Sequence, residues 1–152
     1  MALPSVYEKE VVDTIFNRLD KISPDLKPQW GKMDAAQMLA HINVGYRLTY
    51  DTSIPKATGF KKFMLKLFVK KAVTSEKPFA KNGRTAPNFI INSARDFNEE
   101  KSKFIENVNR VLNDGRAHFE GRESVSFGVM TSEEWNNQFY KHIDHHFTQF
   151  GV

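Results

Sequence analysis

Apolar positions recur at helical spacing in four long stretches of the chain. In the first, residues 5–22, Val11, Ile15, Leu19 and Ile22 share one face. Ser5 and Glu8 have the S-x-x-E form of a capping box there, and Pro24 and Pro28 close the stretch. In the second, residues 34–50, Met38, Ile42, Gly45 and Thr49 line one side, with Asp34 as the expected N-cap and Gln37 as its partner. The third starts near Ser93, where Ser93-x-x-Asp96 offers a cap. It carries Phe97, Phe104, Val108 and Val111 and stops at Asn113-Asp114-Gly115. The fourth opens with Thr131-Ser132-Glu133-Glu134, another capping box, runs to about Phe150, and meets Gly151 in the usual stop position.

The intervening segments are less regular. Residues 51–59, with Pro55 and Gly59, read as a loop. Residues 60–73 predict a shorter helix with Phe60, Phe63, Met64, Leu67 and Phe68 as its apolar face and lysines opposite. Residues 74–92 form a long connection, the kind that often serves as a lid or pocket wall. Residues 125–129 predict a short extended piece. The whole predicts an all-α fold, a four-helix bundle in one domain over residues 1–152. An extra short basic helix and a long connection separate its second and third long helices.

Composition narrows the chemistry. There is no cysteine, so disulfides, thiolate metal ligands and cysteine nucleophiles are excluded. Any metal must be held by nitrogen or oxygen, and any reactive thiol must arrive with a cofactor. The net charge of +4 is modest, yet Lys56, Lys61, Lys62, Lys66, Lys70, Lys71, Lys77, Lys81 and Arg84 cluster in residues 56–84 with Glu76 as the one acid. A solvated face over an ordinary core stripe is the plainest account. The alternatives are a rim for an anionic cofactor or substrate, and docking to an acidic membrane or nucleic acid. Helical spacing of the aromatics favours core over base stacking, which counts against nucleic acid. Five lysines interrupt residues 60–73, so they do not span a membrane. Residues 1–9 lack an apolar core and include Glu8, unlike a signal peptide, so a cytoplasmic location is expected.

The histidines carry the candidate chemistry. His142 and His146 stand one turn apart, on one face of the last helix. The stripe begun by Trp135 and Phe139 continues onto His142, His146 and Gln149 or Phe150, so two imidazoles occupy positions that pattern assigns to the core. His145 falls at the edge of that face. A buried imidazole is costly unless its nitrogens find partners, and a metal or a hydrogen-bonded core would each supply them. Both readings stay open for the pair alone. His41 lies near the apolar face of the second helix, one turn before Gly45, whose lack of bulk favours close helix packing or a ligand, with packing the simpler account. A third histidine there completes a three-imidazole set suited to zinc, nickel or iron rather than magnesium or calcium. His118, beside Arg116 in a turn-rich segment, reads as a surface residue. Ile143 stands where an H-E-x-x-H protease needs its glutamate, so that chemistry is excluded. Asp144 points away from the histidine face. Tyr46, Trp135 and Gln149 are further candidates for lining a cofactor or substrate pocket.

The layout resembles the DinB/YfiT-like metalloenzyme superfamily. The matching elements are Met33-Asp34-Ala35-Ala36-Gln37-Met38-Leu39-Ala40-His41, Phe127-Gly128, Thr131-Ser132-Glu133-Glu134-Trp135, and His142-Ile143-Asp144-His145-His146-Phe147-Thr148-Gln149. They cover two helices, about a third of the chain. The resemblance implies a four-helix bundle of that type with His41, His142 and His146 as the metal triad. It also implies a divalent ion and, as in characterised members, a low-molecular-weight thiol cofactor whose pKa the metal lowers. The expected function is a metal-dependent transferase or hydrolase acting on a small molecule, with water or the cofactor thiol as nucleophile. The alternatives are a non-catalytic ligand-binding protein on the same bundle, or a basic module docking to acidic membrane or nucleic acid. A homodimer is compatible with either.

Overall fold

The computed structural model describes residues 2–152. Helices α1 (Lys9–Leu19) and α2 (Ala35–Tyr50) are followed by a basic helical segment. It comprises α3 (Gly59–Met64), a π-helical stretch (Leu65–Lys70) and α4 (Lys71–Thr74). A 3-10 turn (Pro87–Phe89) interrupts the long connection to α5 (Phe97–Phe119). A two-residue hairpin, β1 (Glu123–Ser124) and β2 (Gly128–Val129), precedes α6 (Ser132–Gln149). The strands pair antiparallel, Glu123 opposite Val129. The fold is therefore all-α apart from this hairpin.

Helix α5 packs on α1, α2 and α6, and α6 also packs on α1 and α2. Their shared core contains Val12, Ile15 and Leu19 of α1, Met38, Leu39 and Ile42 of α2, Phe104, Val108 and Val111 of α5, and Ile143 and Phe147 of α6. An aromatic cluster fills one part of it: Phe119, Trp135, Phe139 and Tyr46 lie with successive ring centroids 5.3–5.7 Å apart. Burying each such ring contributes about 1.5–3 kcal/mol.

Two expected capping boxes are formed. Asp34 Oδ1 accepts from the Gln37 amide at 2.8 Å and Gln37 Oε1 accepts from the Asp34 amide at 3.1 Å. Thr131 and Glu134 make the same reciprocal pair at 3.2 and 3.0 Å. The expected box at Ser5 is not formed. Helix α1 begins only at Lys9, and its N-cap Glu8 makes no side-chain cap bond. The reason is tertiary. The Val6 amide donates to buried Asn136 Oδ1 at 2.8 Å, Asn136 Nδ2 donates to the Pro4 carbonyl, and Tyr7 Oη donates to the Ser132 carbonyl. These bonds hold residues 4–7 along α6 in a non-helical path.

Helix α5 is capped by Asp96, whose carboxylate accepts from the Glu99 amide at 2.8 Å, and not by Ser93. Gly115 breaks it with φ 73°, as the Asn-Asp-Gly stop predicts, but one more turn follows to Phe119. The largest departure concerns the basic segment. Its expected core stripe faces outward: Phe60, Phe63, Leu67 and Phe68 are all more than half exposed. Leu65 and Val73 pack against the core instead. Lys62 pairs with Glu123 at 3.3 Å and Lys70 with Glu134 at 2.8 Å, which ties these two lysines to the domain. No described helix is long and apolar enough to cross a membrane.

Candidate metal centre

Helix α2 contributes His41 and helix α6 contributes His142 and His146. The core stripes on each helix turn these three positions toward one another. One nitrogen from each ring lies within 4.8 Å of the other two. Ring centroids are 4.9 Å apart for His41–His142, 4.6 Å for His41–His146 and 5.0 Å for His142–His146. Tetrahedral Zn–N bonds of about 2.1 Å place the ligating nitrogens about 3.4 Å apart, so the rings would draw together by up to about 1.4 Å to share such an ion.

Hydrogen bonds decide which nitrogen each ring offers. His41 Nδ1 lies 2.8 Å from the Phe89 carbonyl oxygen, which only accepts, so Nδ1 carries the proton and Nε2 keeps its lone pair. Gln149 Nε2 donates to the Trp30 carbonyl at 2.7 Å, which turns Gln149 Oε1 toward His146 Nδ1 at 2.8 Å. His146 therefore also presents a bare Nε2. Gln149 can approach because residue 31 is glycine, at φ 84°: a Cβ there would stand 2.5 Å from Gln149 Nε2. Imidazoles that donate their other N–H to a carbonyl or amide oxygen are the usual oriented form of metal-ligating histidine.

All three rings resist protonation. Burial holds His41 and His142 below the ordinary histidine range and pushes His146 down to about 3, with the neighbouring imidazoles adding to the effect. Neutral imidazole is the ligating form. The donor set of three neutral nitrogens thus fits a divalent ion of the zinc, nickel or iron type.

A family model described as "Protein of unknown function (DUF1569)" matches residues 8–151. The chain belongs to the DUF1569 family. No curated protein and no solved structure proved similar to it.

In this DUF1569 chain the other sequence candidates separate. Gln149 belongs to the site through His146. Tyr46 is buried, stacks on Phe139 at 5.3 Å and lines a small cavity with Gly45, Gln138 and His142. Trp135 does not reach the histidines: it is a core residue between Phe119 and Phe139, with its indole N–H donating to the Arg122 carbonyl at 3.3 Å. His145 sits at the edge as expected, against Trp30, Phe79 and His146. His118 is exposed beside Asp114 and Arg122. Asp144 points away from the triad and pairs with Arg18 at 2.7 Å. Gly45 faces the site, where a Cβ would make ordinary contacts, 3.6 Å from His142 Nδ1 and 3.8 Å from the Phe89 ring.

Several residues of the site carried no spacing signal. Phe89 comes from the connection and packs edge-on against His41 and His142, with centroids 5.4 and 5.8 Å away. Trp30 supplies the carbonyl that orients Gln149. Gln138 Oε1 is buried without a hydrogen-bond partner among the described residues, beside the cavity that His142 lines. Pro87 starts the 3-10 turn that ends at Phe89, within the long connection whose length suggests a pocket wall.

Proposed function

We propose that this chain holds one divalent ion, zinc or nickel foremost and iron next, on His41, His142 and His146, in a four-helix bundle of the DinB/YfiT-like type. The observation that carries the proposal is the convergence of three imidazole nitrogens within 4.8 Å, two of them with Nδ1 anchored to fixed acceptors. The proposed activity is that of a metal-dependent transferase or hydrolase acting on a small molecule, with water or a low-molecular-weight thiol as nucleophile. The bound ion would supply Lewis acidity, lowering the pKa of that nucleophile.

The chain's own residues supply orientation and exclusion of water. The Phe89 carbonyl and Gln149 lock two imidazole tautomers. The Phe89 ring covers one side of the triad, and Phe79 and Trp30 flank its edge at His145. Three protein ligands leave coordination positions free, the arrangement of catalytic rather than structural zinc sites. Among the described residues no carboxylate joins the cluster.

The test begins with metal content after reconstitution with zinc, nickel or iron(II) and removal of free ion. About one ion per chain is expected, lost in His142→Ala and His146→Ala and strongly weakened in His41→Ala. His145→Ala and His118→Ala should keep it. A chain that retains no ion, or one that loses it in His145→Ala while His146→Ala keeps it, overturns the assignment. The loaded protein is then screened with thiol cofactors and electrophilic or ester substrates. Metal binding without turnover would leave the ion and remove the enzyme.

A further inference from the structure

The basic segment presents an apolar surface that nothing in the domain covers. Phe60 is 76 % exposed, Phe63 58 %, Leu67 57 % and Phe68 64 %, with Met64 and Val69 beside them. Outside this run, only Ile90 and Val129 are exposed large apolar residues among those described, and Val129 adjoins the segment, since Lys70 Nζ donates to its carbonyl at 3.4 Å. Such a concentration is unlike the single exposed apolar residues scattered over ordinary surfaces.

The outward orientation is built in. Leu65 and Val73 face the core, and Lys62 and Lys70 are tied to Glu123 and Glu134. At the far end Lys141 Nζ donates to the Ala72 and Ser75 carbonyls at 2.8 and 2.7 Å, and Asn137 Nδ2 donates to the Thr74 carbonyl at 2.9 Å. Turning the phenylalanines inward would break all of these contacts.

Charge identifies the occupant. Residues 52–75 contain no acidic side chain. Lys61, Lys66 and Lys71 are exposed and make no ion pair among the described residues, so the apolar surface carries a positive rim. That rim repels a second copy of the same face. It also matches a negatively charged interface, into which the apolar side chains could insert while the lysine stems extend to the headgroups. Nucleic acid would satisfy the lysines but not Met64, Leu67 and Val69, which have no π-face to stack on bases. We infer that the α3–α4 segment docks the domain on an anionic lipid surface through Phe60, Phe63, Leu67 and Phe68, with Lys61, Lys66 and Lys71 at the headgroups. The inference is independent of the histidine centre.

The experiment is co-sedimentation of the full chain with vesicles of equimolar phosphatidylserine and phosphatidylcholine, against vesicles of phosphatidylcholine alone, at low and high salt. Binding is expected to the anionic vesicles only and to weaken with salt. The double substitution Phe63→Glu with Leu67→Glu should abolish it with the circular dichroism spectrum unchanged, because both side chains are exposed. The triple change of Lys61, Lys66 and Lys71 to Gln should lower partitioning by about a hundredfold at low salt. No binding to anionic vesicles overturns the inference. So does equal binding to both vesicle types, or retention of binding by both variants. A chain that dimerises through this face, or binds a duplex oligonucleotide but no vesicle, also overturns it.

Discussion

At His146, two hydrogen bonds in series decide which nitrogen is free: the Trp30 carbonyl orients the Gln149 amide, and the amide orients the imidazole. Gln149→Leu keeps much of the volume and removes both bonds. It should lower metal affinity about 10–100-fold, measured by competition with a chelating dye, while leaving the stoichiometry near one. Protons act at the same scale. The three imidazoles are held below their unfolded value of about 6.5, so the unfolded chain takes up protons first on acidification. The metal-free protein should therefore have its full stability above about pH 6.5 and lose it as pH falls toward the depressed folded values. For His146, whose folded value is about 3, the loss is on the order of 2 kcal/mol at about pH 5. Urea midpoints at neutral and acidic pH check this, and a midpoint that rises on acidification would contradict the burial of neutral rings.

At the scale of elements, the two ends of the chain contrast a cap that forms with one that does not. Thr131→Ala removes the side-chain acceptor of the α6 box and should cost about 1 kcal/mol, seen as a lower urea midpoint. Ser5→Ala should cost less, because Ser5 Oγ accepts only the Tyr7 amide at 3.4 Å, ahead of the helix, and residues 4–7 are held by Asn136 and Tyr7. Equal losses would mean that α1 starts earlier than Lys9. Local pattern made the boxes at Asp34 and Thr131 legible, since both partners lie within four residues of each other. It misled at Ser5, where a buried amide of α6 outcompeted the local option. It misled again at residues 60–73: helical spacing shows that an apolar face exists but not which way it turns, and here Leu65, Val73 and two ion pairs turned it to solvent.

For the molecule as a whole, the aromatic cluster and the histidine cluster occupy different turns of α6. Trp135 stacks in the aromatic cluster of Phe119 and Phe139, whereas His142 and His146 face His41. Trp135→Ala should cost about 3–5 kcal/mol of unfolding free energy. The fraction that stays folded should bind metal with little change in affinity. A selective loss of metal affinity at unchanged stability would place the indole at the centre instead.

The sequence by itself determined the all-helical character, the α2 and α6 caps, and which histidines share a helix face, because each follows from spacing within one element. It also excluded cysteine ligands and cysteine nucleophiles, since the chain has no cysteine. Only the tertiary structure decided how close His41 stands to the α6 pair, which ring nitrogens are left bare, and that Phe89 and Trp30 belong to the centre. It alone turned the phenylalanines of the basic segment outward. These outcomes depend on contacts between residues far apart in the chain, such as Gln149 with Trp30, 119 positions away, and Lys70 with Glu134. Periodicity within a helix carries no information about what the other helices bring to meet it.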